Sequence, residues 1–202
     1  MKKHYKITPV VNYLGIEVPK QIAKTHGEKI LFLGRWEKEK NVAVIFDLAH
    51  KLPRSRFIVA GFWTDQKDLK WFRSEIKKRG IEKQVDLIPK YNQNDLEKIF
   101  LKSSFWVHMN LEAFSLSALE AASHGLPIII PNKSGVSELF EEGKHGFFPK
   151  SKQEFIKQVK FLHNNPKIAR KMGIQAAKTA KNYTWGKHTQ LLVLKINNLF
   201  KK

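Results

Sequence analysis

Between Lys29 and Ile130, five short apolar runs alternate with four longer segments of helical period. That alternation constrains the fold more than any other feature of the chain. It predicts parallel strands joined by helical crossovers, because parallel neighbours cannot be linked by a tight turn. The runs are Lys29–Leu33, Arg56–Ala60, Val85–Ile88, Ser104–Met109 and Leu126–Ile130, the first two ending at Gly34 and Gly61. The helical segments cover 41–52, 66–78, 94–101 and 116–123, with Asn92 or Asn94 as a cap and Gly80 and Gly125 as stops. The fold class is therefore α/β: a Rossmann-like parallel sheet flanked by helices.

Beyond Phe148 the sequence reads as three helices over 152–163, 166–181 and 186–199, with Gly143–Phe147 as a hairpin-type turn before them. Residues 1–28 lack a period and carry Pro9, Gly15, Pro19 and Gly27, the pattern of a linker or N-terminal arm. Residues 29–202 form the expected domain. The chain has no cysteine, which excludes disulfides, thiol nucleophiles and zinc ribbons and makes the cytoplasm the default expectation. No apolar run nears the roughly 18 residues of a membrane span, and no signal-peptide core follows the basic start.

A formal charge of +19 needs an explanation, and from Gly143 to Lys202 there are fourteen Lys or Arg against one acid, Glu154. Lysine spread over solvated helix faces is the first reading, and peripheral contact with an anionic membrane surface is the second. Nucleic-acid binding comes last, since the cations are mostly lysine and no RRM, KH or zinc-finger pattern accompanies them.

Ligands of open parallel sheets sit outside the carboxyl ends of the strands, so the turns there are the places to look. In Gly34-Arg35-Trp36-Glu37-Lys38-Glu39-Lys40, glycine lets backbone come close, and two cations five residues apart suit a diphosphate. Ordinary surface charge explains that pair equally. In Asn110–Ala122, Glu112 and Glu120 bracket a strand-to-helix turn. Such carboxylates can accept hydroxyl pairs from a sugar or ribose, while amides around Phe114, Ser115 and Leu116 at the helix start favour phosphate. The alternative is a capping Glu112 and a solvated Glu120. Lys133–Glu138 is either an anion cradle or a capped helix, and His108, His124 and His145 read as structural or solvent-facing.

Taken in order, these segments resemble the C-terminal, nucleotide-sugar-binding domain of glycosyltransferase family 4, a class of retaining enzymes with the GT-B fold. The resemblance runs from Ile30 to Trp185. Its G-R-x-x-x-x-K-G turn is met by Gly34-Arg35 through Lys40, with Asn41 in the last glycine's place. Its E-x-F-G-L-x-x-x-E signature and trailing E-A-x-x-x-G-x-P fall on Glu112, Phe114, Leu116, Glu120, Ala121, Gly125 and Pro127. The G-x-x-E loop falls on Gly135 and Glu138, the G-x-x-G turn on Gly143 and Gly146, and the late aromatic element on Tyr183-Thr184-Trp185. Where Ser115 stands, and often where Ala113 stands, the family carries glycine, so glycine-only backbone angles are the expectation there.

The resemblance implies hexosyl transfer from a nucleoside diphosphate sugar. Arg35 and Lys40 would neutralise the diphosphate, Glu112 would hold sugar hydroxyls and Glu120 the ribose, with amides near Ser115 and Leu116 on the distal phosphate. Gly34 and Phe114 belong to the same site, and backbone near Pro89–Tyr91 would meet the base. No metal or other cofactor is implied, as the chain lacks the D-x-D motif of metal-dependent relatives. The family's acceptor site lies on an N-terminal domain, so a separate acceptor-binding domain or subunit is the expected partner. Val10–Gly15 resembles the linker between the two halves. The rival reading is a non-catalytic nucleotide-sugar-binding or regulatory subunit.

Overall fold

The computed structural model describes residues 10–22, 27–37 and 40–200, the side chains of 199 and 200 excepted. Strands β1 (Lys29–Leu33), β2 (Arg56–Ala60), β3 (Val85–Ile88), β4 (Ser103–Val107), β5 (Ile128–Ile129) and β6 (Gly146–Phe147) form one parallel sheet. Its order is β3-β2-β1-β4-β5-β6. The chain builds outward from β1 to β3, then returns to the other side of β1, so the order reverses between β1 and β4.

The alternation of strand side chains sorts them into two cores. Ile30, Phe32, Phe57, Val59, Phe105 and Val107 face one way and pack with helices α1 (Val44–Lys51) and α2 (Gln66–Lys78). Leu31, Leu33, Ile58, Ala60 and Trp106 face the other way, against α3 (Gln93–Leu101) and α4 (Leu116–Ser123). Burial on both faces is why the central strands are mostly apolar: all five residues of β4 are buried, and its two serines, Ser103 and Ser104, donate to the Ile99 and Lys29 carbonyls. The helices α5 (Lys152–Asn164) and α6 (Pro166–Ala180) follow, α5 joining the first core and α6 both.

Four differences from the sequence expectations have physical causes. Helix α1 begins at Val44 rather than at residue 41, because Asn41 sits at φ +52°, the left-handed region that breaks a helix. Strand β4 closes at Val107, leaving His108 and Met109 beyond the ladder. Strand β5 is reduced to two residues, since only Ile128 and Ile129 find partners on β6. The segment expected to be a hairpin turn leads instead into β6, which pairs parallel with β5 through Ile128↔Gly146 and Ile129↔Phe147. Gly143 does make a tight turn there, at φ +76°, its N–H bonded to the Gly146 carbonyl at 2.8 Å.

Residues 10–16 lie against the start of α7 (Trp185–Phe200). Ile16 is buried and its N–H donates to the Tyr183 carbonyl at 3.1 Å, while the Asn12 amide donates to the His188 carbonyl at 3.2 Å. The arm and α7 together leave Val10, Val11, Leu192, Val193, Leu194 and Ile196 exposed. The lysines of α5 and α6, among them Lys157, Lys160, Lys167, Lys171 and Lys178, stand on exposed faces, as solvated helix surfaces do. Among the described residues no helix is long and apolar enough to cross a membrane.

Candidate functional site

At the reversal between β1 and β4 the sheet opens into a cleft of about 600 Å³. All nine residues picked out from the sequence line it: Gly34, Arg35, Lys40, Tyr91, Glu112, Phe114, Ser115, Leu116 and Glu120. They come from the turns after β1, β3 and β4, which the sheet order brings together at one edge, the place where crossovers diverge and leave a crevice. Leu14, Leu33, Phe62, His108 and Ser117 line it too. Sequence reasoning named none of these five as site residues, and it read His108 as structural or solvent-facing. For His108 a signal existed, since it directly follows β4, four residues before Glu112.

The floor is charged and paired. Lys40 Nζ meets Glu112 Oε1 at 2.5 Å, both side chains largely covered. The Glu112 loop is braced from behind: its N–H donates to Ser134 Oγ at 3.4 Å, and its carbonyl accepts from Gly135 N–H at 3.0 Å. Gly135 is required by close approach, because a Cβ there would stand 1.9 Å from the Ala113 carbonyl oxygen. The Lys133–Glu138 segment thus carries a short 3-10 helix (Gly135–Leu139) whose start holds the Glu112 loop, and Glu138 accepts a hydrogen bond from the Tyr13 hydroxyl at 2.9 Å.

Arg35 stands at the rim. Its side chain is 65% exposed and its Nε meets Glu37 Oε1 at 3.2 Å, so it is not seated beside Lys40 in this structure.

Helix α4 points its N-terminus into the cleft. Ser115 caps it, Oγ accepting from Ala118 N–H at 3.3 Å, and its backbone is extended at φ −99°, ψ 102°. The expectation of glycine-only angles is thus not met at Ser115, nor at Ala113, since Asn41 is the sole non-glycine residue with positive φ among those described. Helices leave their first-turn amides without internal partners, so the Leu116 and Ser117 N–H groups are available for an anion.

Glu120 lies one face along α4 and is partly buried. Burial pushes its carboxyl above the usual carboxylate range. Among the described residues no hydrogen bond or ion pair reaches its carboxylate. Tyr91 is near enough that Glu120 adds to burial in raising the phenol. A half-covered acceptor pair without donors is a site that hydroxyl groups would satisfy.

The three histidines read as structural or solvent-facing are all covered, His108 and His145 buried and His124 half-buried. His124 stacks on Phe100 with centroids 4.2 Å apart, and His145 accepts from Glu141 N–H at 2.8 Å while meeting Thr179 Oγ1 at 3.0 Å. His108 instead lines the cleft floor. Among the described residues no group of three or more His, Cys, Asp or Glu side chains is placed to hold a metal ion.

Residues 16–179 match the sequence profile of the family described as glycosyl transferases group 1. Mannosylfructose-phosphate synthase of Agrobacterium fabrum is 26% identical over 182 residues, covering 83% of this chain and 40% of that protein. Among solved structures, sucrose-phosphate synthase from Thermosynechococcus elongatus superposes with a TM-score of 0.77 at 16% identity, over 89% of this chain and 46% of the other. Anabaena HepE, solved in complex with UDP and glucose, gives 0.76 at 18% identity, over 86% and 49%. The chain thus spans less than half the length of each of these proteins.

Proposed function

The chain belongs to the group 1 glycosyl transferases, and from that premise we propose that it is the donor-binding half of a retaining hexosyltransferase that uses a nucleoside diphosphate sugar. The observation that carries this reading is the convergence of Lys40, Glu112, Glu120 and the α4 N-terminus on one cleft at the sheet's switch point.

Breaking a glycosidic bond to a diphosphate leaves negative charge on the departing oxygen, and groups aimed at that charge lower the barrier. Lys40 at the floor and the Leu116 and Ser117 amides supply such groups, with Arg35 swinging in from the rim. Glu112 accepts hydroxyls of the sugar while restraining Lys40. Glu120 accepts the ribose diol, and Tyr91 flanks the base. Charge neutralisation comes from these side chains, so the donor binds without a metal ion. The acceptor is held by a second body facing the cleft, on the same polypeptide or a partner. The exposed apolar surface of the arm and α7 supports such a neighbour.

One observation favours the rival reading of a binding subunit without turnover: Arg35 is engaged by Glu37 and mostly in solvent. Calorimetric titration of UDP-glucose, UDP-N-acetylglucosamine, GDP-mannose and ADP-glucose into the wild-type chain, Lys40→Ala and Glu120→Ala tests the donor site. One donor should bind in the micromolar to millimolar range and both variants should lose it. No binding, or variants equal to wild type, sinks the proposal. Sugar transfer after addition of an acceptor-binding half then separates enzyme from binding subunit.

A further inference from the structure

The roles proposed above leave out the most deeply buried titratable side chain of the cleft. His108 is 4% exposed and follows β4 directly. Its ring lies near-parallel to the indoles of Trp36 and Trp106, 5.7 Å from each centroid and inclined by 17° and 5°. Both indoles are fixed: Trp36 Nε1–H donates to the Ala60 carbonyl at 2.9 Å, and Trp106 Nε1–H donates to the Leu33 carbonyl at 3.3 Å. The imidazole is therefore held in place by partners anchored to β1 and β2 carbonyls.

Nδ1 meets both backbone groups of Asn110, the N–H at 3.2 Å and the carbonyl oxygen at 3.4 Å. The shorter contact makes Nδ1 the acceptor and leaves the proton of a neutral ring on Nε2, the assignment that the test below reads directly. Burial lowers the pKa, and Lys40 lowers it further, against the opposing influence of Glu112 and the Asn110 backbone. The ring stays neutral at pH 7. Nε2 faces Gly34, where a Cβ would come within 3.7 Å of it, and among the described residues no protein group accepts its hydrogen. The ring is buried, but this donor opens into the cleft that Lys40 also lines, where a ligand oxygen can accept its hydrogen.

Resting on the donor-site reading, we infer that His108 is a ligand-binding residue whose Nε2–H donates to an oxygen of the bound diphosphate. A neutral donor suits this position. It adds a hydrogen bond next to Lys40 without burying a second cation, and the absence of a side chain at Gly34 leaves room for the phosphate.

The test uses UDP, GDP and UMP as probes. In the free wild-type chain, long-range 1H–15N correlation should show His108 as the Nε2–H tautomer, and its Nε2 resonance should move on addition of the diphosphate that binds. His108→Phe keeps the aromatic stack and removes the donor. It should weaken that diphosphate by about tenfold, the usual scale for losing one hydrogen bond to a charged group, and leave UMP within about twofold. His108→Gln, which can supply an N–H, should recover part of the loss. A diphosphate that loses affinity in Lys40→Ala but not in His108→Phe, with an unmoved Nε2 resonance, overturns this inference alone. Equal losses of UMP and diphosphate in His108→Phe also overturn it. A wild-type chain that binds neither UDP nor GDP, nor any of the four donor sugars titrated above, overturns the donor reading and this inference together.

Discussion

Lys40, in the turn after β1, and Glu112, in the loop after β4, form an ion pair across the floor of the cleft, 72 residues apart in the sequence and 2.5 Å apart in space. With side chains 17% and 25% exposed, the pair is neither a surface bridge nor fully dry. Exposed pairs contribute ~0.2–1 kcal/mol, and breaking a buried one costs ~3–5 kcal/mol, so removing either partner here should cost about 1–2 kcal/mol. Glu112→Gln should therefore lower the denaturation free energy by that amount. Lys40→Met should cost stability no more than this, yet, on the donor-site proposal, weaken diphosphate binding at least tenfold, since the cation would then lose its ligand as well as its partner. Chemical denaturation and calorimetry on the same preparations check both. Equal effects of the two substitutions on binding would show that the pair acts as a purely structural tie.

The backbone beside this pair makes a second prediction. Asn41 is exposed and holds φ +52°, so its substitutions report backbone preference with little packing change. The left-handed region costs an ordinary L-residue roughly 1–2 kcal/mol, and a β-branched side chain suffers most. Asn41→Val should destabilise by about that much and, because Lys40 is its neighbour, loosen donor binding as well. Asn41→Gly should stay within about 0.5 kcal/mol of wild type, its easier φ offset by greater freedom in the unfolded chain. Thermal melting of both variants separates these outcomes.

Glu120 sets function against stability. Its folded pKa is raised by burial, so the native state binds its proton more tightly than the unfolded chain does. Ionised Glu120 thus costs stability at neutral pH, and that cost is relieved as pH falls through the raised pKa. Glu120→Gln should raise the melting temperature slightly at pH 7.5 and lose that advantage in acid. The same substitution should weaken nucleotide binding severalfold, since an amide accepts fewer hydroxyls. Wild-type affinity should decline on acidification at a higher pH than an ordinary carboxylate near 4.3 would allow. A neutral or lower melting temperature for Glu120→Gln, with binding unchanged, would mean that the carboxylate already has what it needs.

What the sequence revealed and what it hid follow from the range of the interactions. Strands such as Arg56–Ala60 and helices such as Gln66–Lys78 carry their period and their stops locally, so their bounds could be read to the residue. Strand β6 could not: its two residues are strand only because β5 lies alongside, and Gly143 next to it makes a true turn. At the site, motif spacing together with the family resemblance picked out nine of the fourteen residues that line the cleft. Spacing said nothing of their pairings. That Lys40 binds Glu112, that Arg35 turns to Glu37, and that Gly135 sits under Ala113 depend on loops meeting across the sheet edge. His108 was read only as structural or solvent-facing for the same reason, since only the tertiary fold shows its ring near-parallel to two tryptophans and its Nε2 at Gly34.

Four histidines give the final prediction. His108, His124, His145 and His163 all have pKa values lowered, burial being the first cause in each. In the unfolded chain they titrate near 6.5, so between that value and their folded pKa values the unfolded state holds more protons than the native one. Their contribution to stability is fully present above about pH 6.5 and is lost as the pH falls through their folded values. Glu120 runs the other way, but it is one group against four. The melting temperature should therefore hold steady from pH 8 to 7 and begin to fall once the pH drops below about 6.5, ahead of ordinary carboxylate titration. His124→Phe isolates one contribution, because a phenyl ring can keep the stack on Phe100 while removing the titration. Its melting curve should fall less steeply over the same interval. A wild-type profile that is flat from pH 7.5 to 5 would show that these imidazoles take up protons in the folded state as readily as in the unfolded one, and that their burial does not keep them neutral.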